Sequence, residues 1–421
     1  MKRSLARTIL GTTALVLGLG AAAPATADEV EFMTWTYTED SGKAAIEGLI
    51  DGFEAQSDDT VTPIGYAWGD MIKNTFLRAR TNTLPDVSQV QARLLPTVAN
   101  IDGIVDLNEV FGADALAGMF PEAFLAVGQI DGKQLALPLI SGTIGMVANQ
   151  AVLDAAGVDG IPSTMEEFRA ALEAVRDNVP DSVPYGMATK NNASILLDYL
   201  IWVWTFGGDP VVDGQPAVNS PEAVAALEFM VEMMDERLAA PEIDRPDARR
   251  LFGQEKTSFY FDAPSAKKFA ADFSGQGDAY TANLVPMPTP VTEAGNDPAS
   301  IQWGHVLAMF GEENASPDSP ASEFMMYVLS DDVIVPYALD SGAIPPTTSG
   351  SESAAVKDDP YITAWAAAAV APRRNTIASL ENGSEVNDII GEEVQAAILG
   401  QKTAQDAADA MQSRLEDALG G

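Results

Sequence analysis

Apolar and polar positions alternate from Val30 to Trp35, the period-two signature of a half-buried strand. Thr36 to Ser41 then leads into a helical pattern from about Gly42 to Gln56. Val61 to Tyr66 predicts a second strand, and Asp70 to Arg80 a second helix. Leu84-Pro85-Asp86-Val87 opens a third strand that runs through Gln89 and Gln91 to Arg93. Strands alternating with helices predict a mostly parallel sheet that binds ligands beyond its carboxyl strand ends. Residues 94–130 read as helices broken at Gly103 and Pro121.

The stretch from Asp131 to Leu172 organises the rest. Asp131-Gly132 is a turn dipeptide, followed by the apolar run Leu135-Ala136-Leu137 up to Pro138. A second apolar run, Ile144 to Ala148, follows the small, bend-tolerant residues Ser141, Gly142 and Thr143. This order predicts one strand leaving a first lobe, a hinge at 139–143, and a strand entering a second lobe. A short helix from Val152 to Ala156 stops at Gly157, and Pro162 marks a loop. Ser163 or Thr164, with Glu166 or Glu167 three residues on, forms a capping signature for the next helix.

Further on, Val183 to Gly186 is strand-like, and Leu196 to Phe206 is a helix dense in aromatic residues. Asn219-Ser220-Pro221-Glu222 caps a helix from Ala223 to Leu238. A strand ends at Asp262, another spans Ile301 to Phe310, and helices cover Ala321 to Leu329 and Val333 to Leu339. The tail ends in an amphipathic segment, Ala404 to Leu419.

Composition adds compartment and sign of charge. At 421 residues the chain exceeds one ordinary core, so two lobes are expected. Residues 1–27 read as a signal peptide: Lys2, Arg3 and Arg7 precede an apolar stretch from Ile9 to Ala23, and Ala25-Thr26-Ala27 fits the cleavage pattern. The chain has no cysteine, hence no disulfide and no lipid-bearing Cys at the cleavage site; the periplasm is the expected compartment. Removing the three basic residues of the signal leaves 21 basic side chains against 61 acidic ones, a net charge of −40. That balance argues against nucleic acid and anionic lipid as partners.

No catalytic signature is present. A single histidine, His305, offers no imidazole pair for a metal, and there is no His-Glu-x-x-His, Gly-x-Ser-x-Gly elbow or Gly-rich phosphate loop. No cofactor is expected. What the sequence offers is aromatic residues beside polar ones at predicted strand ends. A sugar presents an apolar face that rings cover and a rim of hydroxyls that carboxylates, amides and arginines satisfy. Trp35, Tyr37 and Asp40 follow the first strand, Gln91 and Arg93 end the third, and Asp262 ends a later one. Trp303 and His305 lie within the strand from Ile301. Trp202 and Phe206 read as core, whereas Trp204 suits core or cleft equally.

Taken in order, Asp131-Gly132-Lys133, Pro138, Asn149, Pro162 to Glu167, the Gly207-Gly208-Asp209 loop, the Asn219 to Glu222 cap and the Thr403-capped final helix form a set. This set resembles family 1 extracellular solute-binding proteins of ABC importers, the maltose-binding-protein-like group, over essentially the whole mature chain. The resemblance implies an α/β type II periplasmic binding protein: two α/β lobes joined by a three-crossing hinge. Lobe 1 would comprise 28–138 plus 306–340, and lobe 2 144–301 plus 347–421. The crossings would be 139–143, 302–305 and 341–346. It implies a monomer that binds a sugar or sugar derivative and delivers it to permease subunits of the inner membrane. Ligand contacts are then expected from the residues named above together with Ser141, Thr143, Trp204, and Arg373 and Arg374 after Pro372. The chain departs from the maltose-binding pattern at Gly142, Arg93 and Arg373-Arg374-Asn375, which leaves room for an anionic sugar or another polar ligand. Alternatives are a binding protein for an organic acid, phosphate ester or polyamine, and a secreted carbohydrate-active enzyme.

Overall fold

The structure, a computed structural model, describes residues 28–369, 372–375, 377 and 383–419. The expected signal peptide, 1–27, lies outside the described residues.

Seven strands form the main sheet: β1 (Glu29–Met33), β2 (Thr60–Ile64), β3 (Val87–Gln91), β4 (Ala136–Asn149), β5 (Phe259–Asp262), β6 (Leu284–Met287) and β7 (Ile301–Met309). The order is β6-β4-β7-β3-β1-β2, with β5 also paired to β4. β1 pairs in parallel with β2 and β3, as the strand–helix alternation predicts. The other pairings are antiparallel, so the sheet is more mixed than that alternation implies.

The central strand differs from expectation. Residues 136–149 form one continuous 14-residue strand and not two strands around a break. Its first part pairs with β7, from Ala136↔Ala308 to Ile144↔Ile301, and its last part with β5 and β6. The cross-strand ladder overrides the local breaking tendency of Pro138 and Gly142. Pro138 is accommodated by a bulge: Val306 faces Pro138 and His305 faces Ile140, leaving Leu139 as the extra residue.

Helices α1 (Asp40–Glu54) and α2 (Met71–Arg80) follow β1 and β2. Helix α3 (Met165–Asn178) begins with a capping box between Thr164 and Glu167, as the sequence signature predicts. Helix α4 (Ala193–Thr205) buries Ser194 through Thr205, which is why its sequence is apolar on nearly every face, the buried Asp198 being the charged exception. Helices α5 (Arg245–Gly253), α6 (Ala266–Ser274) and α7 (Asp331–Asp340) frame the site described below.

Two large apolar cores flank the long strands. One gathers Val30, Phe32, Phe53, Leu137, Leu307 and Phe324, and the other Met146, Phe168, Trp202, Phe261, Ile390 and Met411. Each such side chain contributes ~1.5–3 kcal/mol of transfer free energy on burial. Trp303 packs against both cores and so sits at their junction.

Candidate functional site

Trp303 stands opposite Gly142 on the β4–β7 ladder. A Cβ on Gly142 would lie 3.2 Å from the indole Cε3 and 3.1 Å from Pro264 Cγ. The bare backbone of Gly142 therefore leaves room for the indole beside it. Two residues on, His305 meets Trp303 edge-on with ring centroids 4.6 Å apart, and meets Trp35 in the same manner at 4.6 Å.

The orientation of His305 is set from β3. The Gln89 amide oxygen accepts from the hydroxyls of Thr34 and Thr36, so its NH2 group points the other way. That group lies 3.0 Å from His305 Nδ1, which therefore accepts and leaves the proton on Nε2. Burial lowers the imidazole pKa to about 3, so the ring is neutral across the physiological range. Trp35, His305 and Trp303 thus form a continuous aromatic surface.

That surface lines a cleft of about 440 Å³ between the two cores. From the β1 side come Thr36 and Glu39, from the β2–α2 loop Trp68, and from α7 Tyr337 and Asp340. The opposite wall carries Asn192, Arg245, Arg249, Asp262 and Lys268. Arg249 donates to both carboxylate oxygens of Asp262, at 2.8 and 2.7 Å, and its guanidinium lies 3.8 Å from the Phe269 ring centroid. Arg245 Nη2 donates to Asp198 Oδ1 at 2.6 Å and Nη1 to the Phe261 carbonyl. Burial opposes both guanidinium charges, but Asp198 and Asp262 hold Arg245, and Asp262 holds Arg249, above the ordinary value. Burial pushes the Glu39 carboxyl up, against the pull of Arg249 and Lys268 from across the cleft. Lys268 pairs with Asp340, joining α6 to α7.

A second cavity of about 390 Å³ is also lined by Trp303. It takes in Arg93, Ser141, Thr143, Gln302 and Arg374. Arg93 donates to Gln91 Oε1 at 2.8 Å and lies 5.7 Å from the Trp68 ring centroid. The Thr143 hydroxyl accepts from Trp365 Nε1 at 2.9 Å.

The residues expected from sequence therefore divide. Trp35, Asp262, Trp303 and His305 line the first cavity, and Arg93, Ser141, Thr143, Trp303 and Arg374 the second. Gln91 is buried behind Arg93. Tyr37 stacks under Lys43, and Asp40 is exposed at the start of α1; neither lines these cavities. Trp204 is buried in the second core with the Arg373 guanidinium 5.7 Å from its ring centroid, and this pair also lies outside both linings. Sequence reasoning missed Glu39, Trp68, Arg245, Arg249 and Lys268. A usable signal existed for two of them: arginines four apart share a helix face, which is unusual in so acidic a chain.

Comparison with known proteins follows the same lines. A binding protein of Brucella abortus (strain 2308) is 24% identical over 251 residues, covering 58% of this chain and 60% of the relative's length. The fold matches the GacH receptor of Streptomyces glaucescens, solved unliganded and with acarbose, at TM-score 0.80 and 20% identity, covering 94% of this chain and 99% of that one. It also matches maltose-bound MalE3 of T. maritima at TM-score 0.79 and 21% identity, covering 93% and 100%. The architecture is therefore that of type II periplasmic binding proteins. The model of the family described as bacterial extracellular solute-binding protein matches residues 48–364, more than half of the chain, and the protein belongs to that family.

Proposed function

We propose that the protein is the periplasmic substrate-binding component of an ABC importer, and that it captures a carbohydrate or sugar derivative between two lobes. The observation that carries this reading is the Trp35–His305–Trp303 surface facing the Arg249–Asp262 pair across a 440 Å³ cleft. Aromatic faces cover the C–H surface of a pyranose, while carboxylate and guanidinium exchange hydrogen bonds with its hydroxyls. The matched folds of the acarbose-bound receptor and maltose-bound MalE3 support the same ligand class.

Lobe 1 is proposed as 28–138 plus 306–340 and lobe 2 as 144–301 plus 347–421, joined at 139–143, 302–305 and 341–346. The split of the apolar cores supports this division, with Leu137 and Leu307 in one core and Ile144 and Ile301 in the other. Thr347 still bonds to Asp331, so the start of the last segment rests on lobe 1 before Tyr361 reaches Pro264. Hinge rotation about these segments closes the lobes on the ligand, and the closed form, a monomer, delivers it to the permease. Binding involves no covalent step.

A thermal-shift screen against neutral sugars, sugar acids and polyamines tests the proposal. A ligand at 100 times its Kd adds about 2.7 kcal/mol to stability. Stabilisation by sugars is the expected result. Stabilisation by polyamines alone, or turnover of any sugar, overturns the reading.

A further inference from the structure

The two cavities that share Trp303 differ in charge. The first mixes signs: Glu39, Asp244, Asp262 and Asp340 stand with Arg245, Arg249 and Lys268. The second is lined by two charged residues, Arg93 and Arg374, and by no carboxylate among the described residues. In a chain with 61 acidic and 24 basic side chains, a wall of arginines without an acid runs against the charge of the whole molecule.

Both arginines are also short of partners. Among the described residues neither forms an ion pair, and Arg374 makes no hydrogen bond. Arg93 spends one N–H on the neutral Gln91 amide and leans over the Trp68 ring. Burial lowers its pKa to about 10, which still leaves it charged at neutral pH. Arg93 is half-buried and Arg374 exposed, so the cost of a cation without a counter-charge falls on Arg93 until an anion reaches it. The two residues come from distant parts of the chain: Arg93 follows β3, while Arg374 lies beside Arg373, whose backbone pairs with Ile301 and Gln302. An anion between them would be gripped from both sides.

We propose that this second cavity is an anion subsite, and that the ligand is a sugar acid. Its carboxylate would sit between Arg93 and Arg374, and its ring would lie against Trp303. The proposal rests on the sugar-binding reading above and narrows it. The arginine fork matches a planar carboxylate with two parallel hydrogen bonds. Phosphate offers the same match but carries about −1.5 to −2 at neutral pH. The −37 field of the chain repels such a dianion more strongly than a monoanion. Ser141 and Gln302 supply further polar groups for the hydroxyls next to the acid.

Calorimetry on the full mature protein tests this, using hexoses and pentoses, their uronic acids, their phosphates, and open-chain carboxylic acids (aldonic acids among them) as probes. A sugar acid is expected to bind at least 30-fold tighter than its neutral parent and its phosphate. Arg93→Gln and Arg374→Gln should each weaken the acid by about 30-fold, equivalent to about 2 kcal/mol. Each should weaken the acid at least tenfold more than it weakens the neutral parent sugar. A 1 M salt wash-in should weaken the acid and spare the neutral sugar. If neutral sugars bind tightest and both variants match wild type, the anion subsite is wrong while sugar binding stands. If a phosphate binds tightest with the same arginine dependence, the choice of carboxylate is overturned. If acids without a sugar ring bind through these arginines and no sugar binds, the anion subsite stands and the sugar reading fails. Absence of binding across the panel overturns both.

Discussion

Replacing Arg245 by methionine isolates a charge in the second core. Asp198 is fully buried, and its two oxygens accept from Arg245 Nη2 at 2.6 Å and from the Ala188 N–H at 2.9 Å. Arg245→Met removes the guanidinium bonded to that carboxylate and also frees the Phe261 carbonyl. Leaving one member of a buried pair alone costs about 3–5 kcal/mol. Asp198→Asn combined with Arg245→Met removes both charges, so the double variant should be less destabilised than the sum of the singles by roughly 1–3 kcal/mol. The sign of the pH dependence is an added check. Burial already raises the Asp198 pKa, and loss of the arginine raises it further. Above the unfolded carboxylate value the folded variant holds the extra proton, so its stability falls as pH rises until the folded pKa is passed. Urea denaturation at pH 4.5 and pH 8 should therefore show Arg245→Met losing more at the higher pH. A cost below about 1 kcal/mol at both pH values would mean that Asp198 reaches water, and the account of this buried network would be wrong.

Two further perturbations probe the frame of the site. His305, with its pKa lowered to about 3 by burial, binds fewer protons folded than unfolded between pH 3 and 6.5, so stability there rises with pH. Denaturation at pH 4.5 and 6.5 should show wild type losing up to about 2 kcal/mol more than His305→Gln on acidification. Parallel pH curves would place the imidazole in solvent. At Gly128 a Cβ would fall 1.9 Å from the Ala136 carbonyl oxygen, a backbone atom at the start of β4. Gly128→Ala should cost about 1–3 kcal/mol by overpacking, measured by thermal unfolding, and a loss under about 0.5 kcal/mol would show that the turn before β4 yields easily.

Local chemistry was legible in the sequence wherever its cause was local. The Thr164–Glu167 capping box and the β1–α1–β2–α2–β3 series follow from cap residues and from period. The continuity of β4 was hidden, because Ser141-Gly142-Thr143 breaks the apolar pattern while the pairing that spans it comes from β7, about 160 residues away. Strand β6 was missed for a similar reason: its four residues, Leu284–Met287, contain Pro286 and become a strand only against Val147 and its neighbours. At the site, strand-end logic brought Trp35, Asp262, Trp303 and His305 to one cavity. It could not tell that Arg373 lies over Trp204 while Arg374, next to it, faces Arg93's cavity. Adjacent residues diverge in direction, and only backbone pairing with Ile301 fixes which points where.

The central claim, that a sugar ring lies against the aromatic surface at the junction of the two cores, is tested most directly by calorimetric titration of Trp303→Ala with the tightest-binding sugar found in the screen. Trp303 packs on both cores and lines both cavities, so every ring position considered above touches it. The account predicts a loss of about 2 kcal/mol or more, roughly 30-fold in Kd, in a variant that remains folded. Affinity within threefold of wild type would contradict it.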